Sequence, residues 1–89
     1  MYGFMHEYII NNAPDESIYY NQCAALEKHI PGLVKLDELQ DVDGSRLQKY
    51  LFEGSTIRVY NDKYINAVHI GSDIPLEPFF EKVVPDERT

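Results

Sequence analysis

The chain has 89 residues, with 15 acidic and 8 basic side chains and a net charge of −7. This length fits one domain with one modest core, and a hydrophobic content of 44% argues against disorder. The negative surface repels phosphate backbones and anionic lipids. We therefore expect neither direct nucleic-acid binding nor membrane association.

The chain has a single cysteine, Cys23, which cannot form an intramolecular disulfide and is typical of a reducing compartment. No apolar run approaches the roughly 18–20 residues that a membrane span needs. The N-terminus lacks the basic and apolar stretches of a secretory signal. We expect a complete, small cytoplasmic protein that forms one domain over 1–89, with a loose charged tail at 85–89.

The first two elements are predicted to be a strand over 3–11 and a helix that runs to about His29. Alternating side chains favour the strand. Asn12 can cap the helix, and Pro14 suits its first turn. Apolar side chains at spacings of four, three and four residues form one stripe along the helix: Tyr19, Cys23, Leu26 and Ile30.

Four more strands are predicted after the helix, at 33–39, 46–53, 56–60 and 64–70. The turns between them are rich in Asp, Asn and Gly and are predicted at 41–45, 53–55 and 61–63. Inward pairs are expected at Ile57 with Val59 and at Val68 with Ile70. A short helix is predicted after residue 75, because apolar residues recur there at helical spacing: Leu76, Phe79, Phe80 and Val83.

These elements predict an α+β fold of two layers in the order β-α-β-β-β-β-α. Short hairpin-like connections favour a mostly antiparallel sheet of four or five strands, with the main helix on one face. A right-handed crossover through that helix would make the first two strands parallel neighbours.

Four acidic residues lie within seven positions that contain no basic residue: Asp37, Glu38, Asp41 and Asp43. A calcium loop is a poor interpretation. Aligning Gly44 with the glycine of the EF-hand template places Leu39 and Tyr50 at ligand positions 1 and 12. The segment is therefore either a solvated acidic turn or a surface that binds a partner.

Other constellations do not support catalysis, and we expect no metal or cofactor. The three histidines, His6, His29 and His69, lack the close spacing of zinc ligands. A histidine-based ribonuclease would need a cationic surface to hold its substrate. Cys23 lies on the apolar stripe of the helix and is interpreted as a core residue. No glycine-rich phosphate loop or serine nucleophile motif occurs. We therefore predict that the protein is not an enzyme.

The chain has seven tyrosines and no tryptophan. A core of this size cannot bury all seven, and exposed tyrosine is favoured at protein interfaces. Two interpretations are open for Tyr50, Tyr60 and Tyr64. They occur in or beside strands either because tyrosine favours β-structure or because they contribute to such an interface. The ends of the hairpins are expected to place them near Glu53 and Asp62.

The preferred hypothesis is a small acidic inhibitor that binds a basic protein. In size, charge and lack of catalytic motifs, and in these alone, the chain resembles bacterial immunity proteins and antitoxins, which block cationic nuclease-type toxins by occluding a basic active-site surface. The predicted partner-binding residues are the acids and tyrosines around the acidic segment and its hairpins: Asp37, Glu38, Asp41, Asp43, Glu53, Tyr60, Asp62 and Tyr64.

Two alternatives remain open from the sequence. A phage-type acidic blocker of a host nucleic-acid-binding machine would use the same charge as a crude phosphate mimic. A non-catalytic subunit or regulatory domain would instead be acidic only for solubility. Its apolar interface would use a sheet edge or the helix containing Phe79 and Phe80.

Overall fold

The computed structural model describes residues 5–79. Its elements follow the predicted order: β1 His6–Asn11, α1 Glu16–His29, β2 Val34–Gln40, β3 Arg46–Phe52, β4 Ser55–Asp62 and β5 Ala67–Ser72. The chain turns helical again at 77–79, where the described residues end. The α+β class and the element order are therefore confirmed, whereas the predicted tail at 85–89 lies outside the described residues.

The five strands form one antiparallel sheet in the order β1-β5-β4-β3-β2. The expected parallel pairing of the first two strands is therefore wrong, because β1 pairs with β5 and β2 forms the opposite edge. The length of α1 explains the difference. Its 14 residues span about 21 Å, enough to cross a five-stranded sheet of about 19 Å from edge to edge.

The N-cap of α1 lies three residues later than the predicted cap at Asn12. Asp15 is the N-cap, and its carboxylate accepts a hydrogen bond from the backbone N–H of Ile18 at 3.0 Å. The backbone N–H of Asp15 also donates to the side-chain oxygen of Asn61 at 2.9 Å, which joins the start of the helix to the end of β4. The end of the helix at His29 is as predicted.

Removing the cap tests this junction. We expect Asp15→Ala to lower the free energy of unfolding by about 1 kcal/mol, because the N–H of Ile18 loses its acceptor. Denaturant unfolding measures the loss. Ser17→Ala, an exposed change in the same helical turn, is the control and should be neutral or slightly stabilising. Equal effects of the two changes would contradict the role of Asp15.

The core lies between α1 and one face of the sheet. The predicted helix stripe is fully confirmed, since Tyr19, Cys23, Leu26 and Ile30 are all buried. The sheet contributes Tyr50 and the two predicted pairs, Ile57 with Val59 and Val68 with Ile70, whose side chains are each 0% exposed. The segment after β5 contributes Leu76. Burial of this apolar surface is the main source of stability.

The segment that follows β5 packs back on the sheet. The hydroxyl of Tyr8 donates to Glu77 at 2.8 Å and accepts from the backbone N–H of Leu76 at 2.9 Å. Phe79 packs edge-to-face against Phe52, with ring centroids 5.8 Å apart. Phe79 therefore belongs to the periphery of the core rather than to a separate apolar interface, and Phe80 lies outside the described residues.

Of the two hairpin turns at the ends of β4, the one before the strand lies where it was predicted and the one after it does not. Glu53 and Gly54 form the predicted tight turn, with positive φ at both residues as a type I′ turn requires. The turn predicted at 61–63 is wrong. Strand β4 continues to Asp62, and the turn occupies 63–66, because the Asp62 carboxylate accepts the backbone N–H groups of Tyr64 and Ile65.

Candidate functional site

A groove of about 590 Å³ opens at the end of the sheet where the β2–β3 and β4–β5 turns lie side by side. The backbone N–H of Lys63 donates to Ser45 Oγ at 2.8 Å and joins the two turns. The groove is lined by the ends of three strands and by both turns: Leu39, Gln40, Asp41, Asp43, Ser45, Arg46, Leu47, Tyr60, Asp62 and Tyr64.

The floor of the groove is formed by Leu39, Leu47 and Tyr60, which belong to one row of paired residues across the sheet. Leu39 pairs with Leu47, Leu47 with Tyr60, and Tyr60 with His69, so their side chains share one face. Tyr60 and His69 stack with ring centroids 4.5 Å apart and an interplanar angle of 9°. This row gives the groove an aliphatic and aromatic base.

Two carboxylates stand at the mouth of the groove, on the β2–β3 turn. Asp41 accepts the backbone N–H of Val42 at 2.7 Å, and Asp43 accepts that of Ser45 at 2.9 Å. The bond from Ser45 lowers the pKa of Asp43 and favours its charged form. These local bonds order the turn and hold two acidic side chains beside an apolar floor.

Asp62 is a structural carboxylate rather than an exposed contact. It is 5% exposed, and one of its oxygens accepts the two N–H groups that shape the β4–β5 turn. Its other oxygen lies 3.3 Å from Nε2 of His69, which is also buried. Tyr60 is 6% exposed, so Tyr60 and Asp62 both line the groove but offer little accessible surface in the free protein. Both lie on β4, where Tyr60 stacks on His69 and Asp62 is bonded to the backbone of the β4–β5 turn.

The remaining predicted site residues do not gather in one place. Glu38 points toward the helix, where it accepts from the hydroxyl of Tyr19 at 2.8 Å and lies 3.8 Å from Arg46. Asp37 is exposed on edge strand β2. Glu53 is in the tight turn that follows β3, about 20 Å along that strand from the β2–β3 turn. The expectation that Glu53 lies near Tyr60, Tyr64 and Asp62 is therefore wrong.

The two turns also carry apolar side chains that project into solvent. Val42, between the two mouth carboxylates, is fully exposed, and Tyr64 is 91% exposed. Ile65 and Leu39 are about half exposed in the same region. Sequence reasoning missed Val42 and Leu39. An apolar residue flanked by two aspartates in a turn has no core to face, and this pattern could have identified Val42.

Two of the chain's own cations lie near this end of the sheet. The ammonium of Lys63 lies over Gly44, so that a Cβ placed on Gly44 would be only 2.7 Å from it. Its charge also contributes to lowering the pKa of Asp43. Arg46 is directed to the helix side, where it pairs with Glu16 at 3.3 Å and lies over the ring of Tyr20.

The described residues show no arrangement suited to metal binding, since no group of three or more His, Cys, Asp or Glu side chains converges there. Cys23 is buried in the core, as predicted, and burial raises the pKa of its thiol to about 11. The thiolate needed for nucleophilic chemistry is therefore disfavoured at neutral pH. Within 5–79, no helix has the length and apolar character needed to span a bilayer.

Comparison with known proteins found no matching family model, and no curated protein or solved structure is significantly similar to the chain. The groove and the two turns that form it are therefore the features of the molecule that bear on its function.

Proposed function

We propose that the protein is a non-catalytic acidic inhibitor that binds a basic protein, as an immunity protein or antitoxin does. Its partner would be a nuclease-type toxin in the cytoplasm. A nuclease holds a polyanion and therefore presents a cationic surface. The observation that supports the proposal is the end of the sheet around the groove, where Asp41 and Asp43 flank exposed apolar side chains on a chain of net charge −7.

The two kinds of side chain have different roles in such an interface. The carboxylates increase the association rate and select the orientation of a cationic partner through complementary charge. Val42 and Tyr64 project from neighbouring turns and can bury apolar area in the partner. Tyrosine is a favoured residue for this purpose because its large rigid ring is ordered at little entropic cost.

The proposal is tested by capture followed by inhibition. The immobilised protein is exposed to lysate of its source cell, and bound proteins are identified by mass spectrometry. We expect a basic nuclease whose activity falls to zero at one equivalent of the acidic protein. Capture of neutral or acidic proteins only, or a captured nuclease that stays active when saturated, would contradict the proposal.

The position of Lys63 gives a further prediction about affinity. Its ammonium offsets part of the negative charge at the mouth of the groove. We expect Lys63→Gln to tighten binding to the basic partner by about threefold, roughly the effect of one partly screened charge. Titration calorimetry measures the change. Lys28→Gln, which removes a cation from the exposed side of α1, is the matched control and should have a smaller effect. Weaker binding by Lys63→Gln would contradict the electrostatic account.

Edge strand β2 favours a second candidate, a subunit with an apolar interface. All seven of its residues are exposed, including Val34, Leu36 and Leu39. An open edge of this kind can add a strand from another chain. Sedimentation of the protein alone at low and high salt distinguishes the candidates. A stable dimer that is indifferent to salt would favour the subunit, whereas a monomer at both salt concentrations favours the inhibitor.

A further inference from the structure

We propose that the groove binds an arginine side chain of the partner, together with the short segment that carries it. This inference rests on the proposed function and specifies the chemistry that the same surface recognises. The volume of the groove, about 590 Å³, lies within the range of about 300–1,000 Å³ that is common for ligand pockets. The groove therefore has room for a long side chain and part of its flanking backbone.

The floor of the groove suits the aliphatic part of arginine. Leu39, Leu47 and Tyr60 form a continuous apolar row, and Leu39 is 48% exposed in the absence of a partner. Three methylene groups laid along this row would be removed from water while the charged end extends to the mouth.

The mouth of the groove suits the guanidinium group. Asp41 and Asp43 are separated by one residue on the same ordered turn and provide two acceptor groups. A planar guanidinium has five donors and can bond to more than one carboxylate oxygen at once. The exposed ring of Tyr64 also lines the groove and offers an aromatic face, on which guanidinium stacks.

The chain's own Lys63 supports the choice of a cation. Its ammonium already lies over Gly44, the residue that follows Asp43, and contributes to lowering the pKa of Asp43. The turn therefore already accommodates one cationic group in the free protein. Arginine is preferred to lysine as the partner residue, because only the planar guanidinium combines multiple bonds with stacking.

The test uses a small probe, N-acetyl-L-arginine methylamide, added to the ¹⁵N-labelled full chain. We expect saturable shifts of the backbone amides of 39–47 and 60–65 in two-dimensional NMR spectra, with a dissociation constant on the order of millimolar. The uncharged citrulline analogue should bind about tenfold more weakly, and the lysine analogue also more weakly. Equal binding of the three probes would overturn the inference.

Two matched pairs of variants locate the probe. Asp41→Asn should weaken arginine binding by about tenfold, whereas Glu53→Gln removes one charge at the opposite end of the sheet and should have no effect. Leu39→Gln should also weaken binding, whereas Leu36→Gln, with similar exposure on the same strand but outside the groove, should not. Shifts that depend on net charge alone, with Glu53→Gln as damaging as Asp41→Asn, would contradict the inference.

The two proposals can fail separately. If the arginine probe does not bind but a basic nuclease is captured and inhibited, the groove assignment is wrong and the inhibitor function stands. If the probe binds as expected but no basic partner is captured, the groove assignment stands and the inhibitor function is wrong.

Discussion

Replacing both Asp41 and Asp43 with asparagine is expected to slow association with the basic partner by about tenfold at low salt. Both carboxylates stand at the mouth of the groove and would face the partner's cationic surface during encounter. Asparagine preserves an oxygen that can accept the backbone N–H groups of Val42 and Ser45, so the turn should keep its shape. Stopped-flow or surface-plasmon-resonance measurements at several salt concentrations give the rate.

The matched control removes the same amount of charge elsewhere. Glu53→Gln with Asp73→Asn also changes the net charge from −7 to −5, but Glu53 lies in the distant hairpin turn. Asp73 follows β5 at that same end of the sheet, where its backbone N–H donates to the carbonyl of Thr56 at 3.1 Å. We expect this pair to slow association only slightly and to leave most of the salt dependence intact. Equal effects of the two pairs would mean that net charge matters and the groove does not.

The second large effect is a loss of stability in alkaline solution. Tyr19 and Tyr50 are fully buried, and burial raises the pKa of both hydroxyls far above the ordinary 10.0. Their hydroxyls donate to Glu38 at 2.8 Å and to Glu27 at 2.6 Å, which further favours the protonated form. Burial also raises the pKa of Cys23 from 9.0 to about 11. The folded protein thus keeps three protons that the unfolded chain releases.

The sign of the pH dependence follows from this difference. Above pH 9 the unfolded chain binds fewer protons than the folded chain, so the free energy of unfolding falls as pH rises. Each group contributes about 1.4 kcal/mol per pH unit once its unfolded form ionises. The three together lower stability by about 5 kcal/mol at pH 11, a large share of the stability of a small domain. Urea unfolding from pH 7 to pH 11 measures the loss.

The control for this prediction is Tyr19→Phe, which removes one of the three protons. Its stability should fall less steeply with pH above 10 than that of the parent, by about 1.4 kcal/mol per unit. Comparing slopes separates this effect from any change in stability at pH 7. A flat profile between pH 8 and pH 11 in the parent would show that these groups are not held protonated by the fold.

The burial pattern could be predicted from the sequence, but the strand pairing could not. The spacing of Tyr19, Cys23, Leu26 and Ile30 defines one helix face, and each is buried. Such spacing predicts which face of the helix is buried, but it does not predict which strand pairs with β1. The pairing of β1 with β5 depends on how far across the sheet the 14-residue helix carries the chain before β2 begins. That distance is known only once the whole sheet is assembled.

The candidate site was predicted only in part for the same reason. Asp41 and Asp43 are neighbours in sequence and therefore share a turn, so local reasoning placed them together. Asp62 also lines the groove, but it is used to shape the β4–β5 turn, and no local pattern distinguishes a carboxylate that accepts two backbone bonds from an exposed one. Glu53 was misplaced because its distance from the turn depends on the length of β3.

Charge attraction between the groove end of the protein and a cationic partner is the central claim, and the salt dependence of binding tests it most directly. The equilibrium constant for the captured nuclease is measured by titration calorimetry from low to high salt, for the parent protein and for the variant with asparagine at positions 41 and 43. The account predicts that affinity falls steeply with salt in the parent and clearly less steeply in the variant. An affinity that is indifferent to salt, or a parent and variant with the same salt slope, would contradict it.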